Sequence, residues 1–195
     1  MSIIREHKIS ILGKLNGKEL LLRPLSDEHL PLLYKWNSDS EVLYWVDGED
    51  VDAYPPAVVN QIYGNISQNN FCFAVEFDGE IIGECWLQRM NLPNVIKMYP
   101  AGMDVRRIDM CIGEKEYWSK GIGTALVEML AEFAFWQEQV DVLHCFCEDY
   151  NHRSSRVWEK NGFTLALREP IPQPSKGKYQ EHWRITKEEF FETHE

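Results

Sequence analysis

The segment Ser119-Lys-Gly-Ile-Gly-Thr124 sets two glycines alternately with other residues, directly before an apolar helical pattern of Ala125, Leu126, Met129, Leu130 and Phe133. Glycines there let the backbone curl so that successive N–H groups converge. Together with the positive end of the helix dipole, such groups form a site for a pyrophosphate. Lys120 adds a mobile positive charge. Two other phosphate motifs do not fit: no Gly-Lys-Ser/Thr closes a P-loop, and the third glycine and later acidic residue of a dinucleotide fingerprint are missing. Glycines also serve packing alone at strand-to-helix turns, so the surroundings matter. About thirty residues downstream stands Asn151-His-Arg-Ser-Ser-Arg-Val-Trp-Glu-Lys-Asn-Gly-Phe163.

The elements that must hold these residues are legible from periodicity and turn chemistry. Apolar runs at 8–13 and 19–24 flank Asn16-Gly17, a pair suited to a type I′ turn, and read as a hairpin. Ser26 caps a helix over 27–37. The stretch Asn37 to Tyr54 has no clean period and reads as a surface loop. Pro55 and Pro56 then open a helix to about residue 67. Asp78-Gly79 joins the strands 71–77 and 80–89. A long connection, 91–104, leads to a strand at 105–112. A helix at 121–137, with Phe133, Phe135 and Trp136 expected in its core face, precedes a strand at 140–147, a helix at 153–160, a short strand from Phe163 and a last strand at 179–185. The loop Pro170 to Gly177 is expected to be mobile. Helices alternating with strands imply a mixed sheet with helices packed on it.

Composition narrows the class. A chain of 195 residues, 44% hydrophobic and 12% aromatic, suits one core and one domain. No run approaches the roughly 18 apolar residues of a membrane span, and no secretory signal opens the chain, so a cytoplasmic protein without membrane partners is expected. Against 20 basic residues stand 31 acidic ones, a net charge of −11. That balance repels nucleic acid and favours cationic partners, although many proteins are acidic for solubility alone. Cys72, Cys85, Cys111, Cys145 and Cys147 lie in strand-like runs and read as buried thiols; Cys145-x-Cys147 lacks a second pair, so no metal site is expected.

The glycine turn and the Asn151–Phe163 segment together resemble the acyl-CoA-binding motifs of the GNAT superfamily, R/Q-x-x-G-x-G/A on a strand-to-helix turn and N-x-x-S/A with Y-E-K-x-G-F on the next helix. The match spans roughly residues 105–165. It implies an α/β (α+β) fold with a mixed, largely antiparallel sheet of six to seven strands flanked by about four helices and splayed between the fourth and fifth strands. It also implies acetyl-CoA as cofactor. Main-chain amides of Ser119, Lys120, Gly121, Ile122, Gly123 and Thr124 would bind its pyrophosphate, Met110, Cys111 and Ile112 would pair with the pantetheine, and Asn151 and Ser154 would lie near the pantetheine or phosphoadenosine. Two positions depart from the pattern. Trp118 replaces the usual Arg or Gln beside the phosphates, and Trp158 stands where a proposed acid tyrosine is common, leaving Tyr150 or solvent to protonate the thiolate.

Within the superfamily, Glu28–Trp36, Glu41–Trp45, Arg107–Met110 and Lys120–Thr124 resemble aminoglycoside 6′-N-acetyltransferases. This implies transfer of acetyl to a primary amine of a small cationic acceptor, which erases a positive charge and would confer resistance. Such chemistry needs a base for the ammonium and a donor for the oxyanion, most naturally a backbone N–H near Cys111. Asp109 is the first candidate for base or amine anchor, since an acid is out of character in Ile108-Asp-Met-Cys-Ile112, although an outward-facing strand position would also be polar. Glu84 and Asp104 come second. Tyr44, Trp45, Asp47 and the rest of 44–50 form an acidic and aromatic wall for the acceptor or an ordinary solvated loop, and Trp86, Gln88 and Tyr99 line the cleft. The chain is expected as a monomer or homodimer. The alternatives are a ribosomal-protein or peptide N-terminal acetyltransferase and a non-catalytic acyl-CoA sensor, the latter supported by Trp158.

Overall fold

The computed structural model describes residues 2–47 and 51–193. Strands β1 (Ile11–Leu15) and β2 (Lys18–Pro24) pair antiparallel, Leu15 opposite Lys18. Asn16 and Gly17 join them at φ of 53° and 80°, the left-handed pair a type I′ turn demands. After β2 a single turn, Asp27–His29, leads into α1 (Leu30–Trp36). The expected loop after it contains a helix instead, α2 (Ser40–Val46), because the Asp39 side chain accepts from the N–H groups of Glu41 and Val42 and so caps it. Helix α3 (Pro56–Ile66) follows as expected, then β3 (Phe71–Phe77) and β4 (Glu80–Arg89), joined by Asp78 and Gly79 at φ of 55° and 88°.

The connection after β4 holds one short helix, α4 (Pro93–Ile96), before β5 (Val105–Ile112). Helix α5 (Ile122–Glu132) ends in a widened π turn, Phe133–Gln137. Phe133 and Phe135 are buried there, but Trp136 is 59% exposed, a correction to its expected place in the core. The wider turn rotates it off the inner face, and its ring meets Phe191 at 4.4 Å. Strand β6 (Val142–Glu148), α6 (His152–Lys160), β7 (Thr164–Pro170) and β8 (Tyr179–Thr186) complete the alternation, and an unexpected α7 (Lys187–Thr193) closes it.

The eight strands follow the order β1-β2-β3-β4-β5-β6-β8-β7, one or two more strands than expected, with seven α-helices among the described residues. Among the described residues only β5 and β6 pair parallel, and their register ends after Val105–Val142 and Arg106–Leu143. The splay therefore falls between the fifth and sixth strands, not the fourth and fifth.

Contacts divide the chain into two bodies. In the first, Met1–Trp86 with Met110–Ile122, Leu25, Leu33, Trp36, Val59, Tyr63 and Cys111 pack one core. Its closest approach lies at the end of β5: the Gly113 and Glu114 amides donate to the Ile82 carbonyl at 2.9 and 3.0 Å, and a Cβ at Gly113 would overlap the Trp36 ring. Trp36 in turn donates from Nε1 to Glu114 at 2.9 Å. In the second body, Leu87–Asp109 with Gly123–Glu195, Met90, Val95, Val105 and Val142 form a core against which Tyr99 and Phe146 pack.

Gly113→Ala forces Trp36 out of its place and should lower unfolding stability by about 1–3 kcal/mol. A urea midpoint that stays at the wild-type value would contradict this packing.

Candidate active site

The turn between β5 and α5 is built by alternation. Ser119 and Gly121 adopt φ of 61° and 84°, so the backbone reverses its curl at every second residue and the intervening amides turn to one side. None of the Gly121 to Thr124 N–H groups donates to any acceptor among the described residues. Ile122 is buried beneath the turn and anchors it. Lys120 is exposed, with Nζ 5.2 Å from the centre of the Tyr117 ring. Unpaired amides at a helix start, with a cation beside them, fit an anionic diphosphate.

The Trp118 Nε1 donates to the Ile112 carbonyl at 2.6 Å and ties the turn to the strand. On β5 the backbone groups alternate sides with period two. The Gly113 amide and Val105 carbonyl bond toward β4, so the groups of Met110 and the Ile112 amide point away from it. Those of Cys111 point toward β4, where the Cys111 carbonyl lies against Gly83. Of the three expected pantetheine partners, Met110 and Ile112 thus have the right direction and Cys111 does not.

Asp109 sits one step before this stretch. Its Oδ2 accepts from Arg107 Nε at 2.7 Å. Burial pushes the Asp109 pKa up, and the charge and hydrogen bond of Arg107 pull it back only partly. Arg107 is further held by the Gln88 amide oxygen, in the amide orientation that satisfies both, and it lies 5.2 Å from the centre of the Phe146 ring. Sequence reasoning placed Gln88 here but missed Arg107, although the i, i+2 spacing puts it on the same strand face as Asp109.

In the first body, Glu84 is buried on β4, with Tyr63 Oη 3.4 Å from Oε1. Burial raises the Tyr63 pKa, with Glu84 adding to the effect. Trp86 packs edge-on against the same tyrosine, with ring centres 5.6 Å apart. On α2 Tyr44 is exposed and meets Trp45 edge-on at 4.9 Å, while Asp47 accepts from the Tyr54 hydroxyl. Gly48, Glu49 and Asp50 of the expected wall lie outside the described residues.

Asp104 stands at the far end of β5, committed to the buried Arg106, which it meets at 2.8 Å. Arg106 also holds Glu138 at 3.0 Å, so this trio fastens the start of the parallel pair. Asn151 caps α6 by accepting from the Ser154 amide at 3.2 Å, with Tyr150 just ahead of it. Trp158 is buried, packed on Phe163 at 5.3 Å. The Asn161 side chain donates to the Thr124 carbonyl at 3.2 Å, which fixes the end of α6 against the first turn of α5.

The family of the acetyltransferase (GNAT) domain matches residues 19–164, and the chain belongs to that family. It is an acyl-CoA-dependent N-acetyltransferase with acetyl-CoA as cosubstrate. Among curated proteins, aminoglycoside N(6')-acetyltransferase type 1 of Klebsiella pneumoniae is 25% identical over 169 residues, 80% of this chain and 79% of that one. A crystal structure of aminoglycoside acetyltransferase AAC(6')-Ib with coenzyme A and kanamycin superposes at a TM-score of 0.75 with 22% identity, covering 90% of this chain and 99% of the other. Spermidine N-acetyltransferase of Vibrio cholerae, solved with CoA and spermine, gives 0.69 and 16% identity over 88% of this chain and 98% of that one.

Removing the guanidinium in Arg107→Gln leaves burial to act on Asp109 unopposed, so its pKa rises further. If its carboxylate is the base, the acid limb of kcat/KM against pH moves to higher pH. An unmoved limb would show that Asp109 does not set it.

Proposed function

We propose that the chain transfers acetyl from acetyl-CoA to a primary amine of a small polycationic acceptor of the aminoglycoside kind. The observation that carries the reading is Asp109, a carboxylate of raised pKa on the strand that runs directly into a turn of unpaired amides. A net charge of −11 supports a cationic acceptor. So do the relatives, whose ligands kanamycin and spermine share several ammonium groups on a small frame.

Acetyl-CoA supplies the thioester. The amides of Gly121 to Thr124, with Lys120, would hold its diphosphate, and the Met110 carbonyl and Ile112 amide would hold the chain that follows. Asp109 orients the acceptor ammonium and takes its proton, with Arg107 keeping enough of the carboxylate ionised to do so. The Met110 N–H, fixed by the strand, faces the oxyanion that forms on attack. Tyr44 and Trp45 on α2, with Asp47 just past its C-terminal end, present aromatic faces and a carboxylate of the kind that suits a cationic acceptor. Acetylation removes one positive charge, which weakens a cationic drug's hold on an anionic target and is the route by which the activity would give resistance.

Release of free CoA thiol should depend on kanamycin or a related aminoglycoside. Asp109→Asn should lower turnover by at least about a hundredfold while CoA affinity, measured by calorimetry, stays unchanged. Absence of turnover across several aminoglycosides removes this acceptor class, and turnover on peptides in its place assigns the chain to protein acetylation.

A further inference from the structure

The parallel ladder between β5 and β6 ends on a sulfur atom. The two strands pair through Val105–Val142 and Arg106–Leu143. Continued by two residues, that register would set Ile108 beside Cys145 and carry the Ile108 amide to the His144 carbonyl. The amide donates instead to Cys145 Sγ at 3.3 Å. Both residues are buried, Ile108 at 2% and Cys145 at 0% exposure.

The surroundings hold this contact in place. On its other edge β6 stays paired with β8 from Val142–Thr186 to Glu148–Gln180, with Cys145 opposite Trp183. A β6 that leaned further toward β5 would strain that pairing. Arg107 links the two strands at the same level, bonding Asp109 at 2.7 Å on β5 and lying 5.2 Å from the centre of the Phe146 ring on β6. The Cys145 side chain thus fills the position where a main-chain carbonyl would otherwise stand.

Sulfur suits this position. A thiol is a weak acceptor of large radius, so it satisfies a buried N–H while holding the strands further apart than a carbonyl rung would. Burial pushes the Cys145 thiol well above the usual thiol range, and the Ile108 hydrogen bond draws it back only in part. The thiol is therefore uncharged at neutral pH, and it adds no second anion beside Asp109.

Alternation along β5 sends the amides of Ile108, Met110 and Ile112 to the same edge of the strand. Ile108 spends its amide on the sulfur. The next groups on that edge are those assigned to the acyl-CoA arm and to the oxyanion, and Asp109 stands between the two.

We propose that Cys145 is a positioning residue: its sulfur ends the β5–β6 ladder at Ile108 and keeps the following stretch of β5 open to the cosubstrate. The inference rests on the reading of Met110 and Ile112 as groups that hold acyl-CoA. Without the sulfur, the Ile108 N–H is buried with no acceptor. The strand can satisfy it only by closing on the His144 carbonyl. That closure extends the ladder toward Met110, so that main-chain pairing competes with the cosubstrate for the same edge.

Two measurements on the intact protein test this role. Cys145→Ala should weaken CoA binding, read by calorimetry, about tenfold, and Cys145→Ser, which keeps an acceptor, should recover most of the loss. Cys85→Ala removes an equally buried thiol from the first body and should leave CoA affinity unchanged while lowering stability. Full affinity in Cys145→Ala, or an equal loss in Cys85→Ala, overturns the proposal. Amide exchange in the free wild type needs no variant: Ile108 should exchange at least about tenfold more slowly than Met110. A Met110 amide as protected as that of Ile108 shows the ladder running on past the sulfur and refutes the role. If the wild type binds no CoA, the cosubstrate reading of Met110 and Ile112 fails and takes the role with it, whereas tight CoA binding that Cys145→Ala does not disturb removes the role of Cys145 alone.

Discussion

A helix that begins with unpaired N–H groups has to satisfy them with water or with a ligand, and the first turn of α5 is such a place. The rest of the first body holds that turn still. Positive φ at Ser119 and Gly121 aims the amides, the Trp118 indole bonds the turn to the end of β5, and Gly113 admits the Trp36 ring against the backbone. Glu114 collects Trp36 and Lys35, the latter at 2.6 Å. Rigidity here has a thermodynamic purpose, because donors already fixed in place lose little freedom when an anion arrives.

A second constraint acts on charge. Asp109 and Arg107 share one strand face, and each alters what the other can do. A fully solvated Asp109 would be a weak base, whereas loss of Arg107 would leave burial to push its pKa further up. The pair sits between these limits. Gln88 and the Phe146 ring keep the guanidinium from leaving.

Hairpins were legible because their chemistry is local: Asn16-Gly17 and Asp78-Gly79 carry the left-handed conformations in their own residue types. The glycine turn was legible for the same reason. Helix α2 was hidden because its single cap, Asp39, precedes a mixture of aromatics and carboxylates with no clean period. Helix α7 was hidden by its charged first turn, Lys187-Glu-Glu, and it is α7 that receives Trp136. The side-chain bond of Trp118 and the direction of Cys111 depend on which way strand β5 faces its neighbour. The Ile108–Cys145 bond lay further out of reach, since it needs the β5–β6 register and the place where that register ends, which no local residue type announces.

The amides at the start of α5 are free to grip a diphosphate. Titration of nitrogen-15-labelled protein with CoA tests it most directly. Large, saturable shifts are expected for the amides of Gly121, Ile122, Gly123 and Thr124, with slowed solvent exchange once CoA is bound. Amides already protected from exchange in the free protein, or unmoved by millimolar CoA, would contradict it.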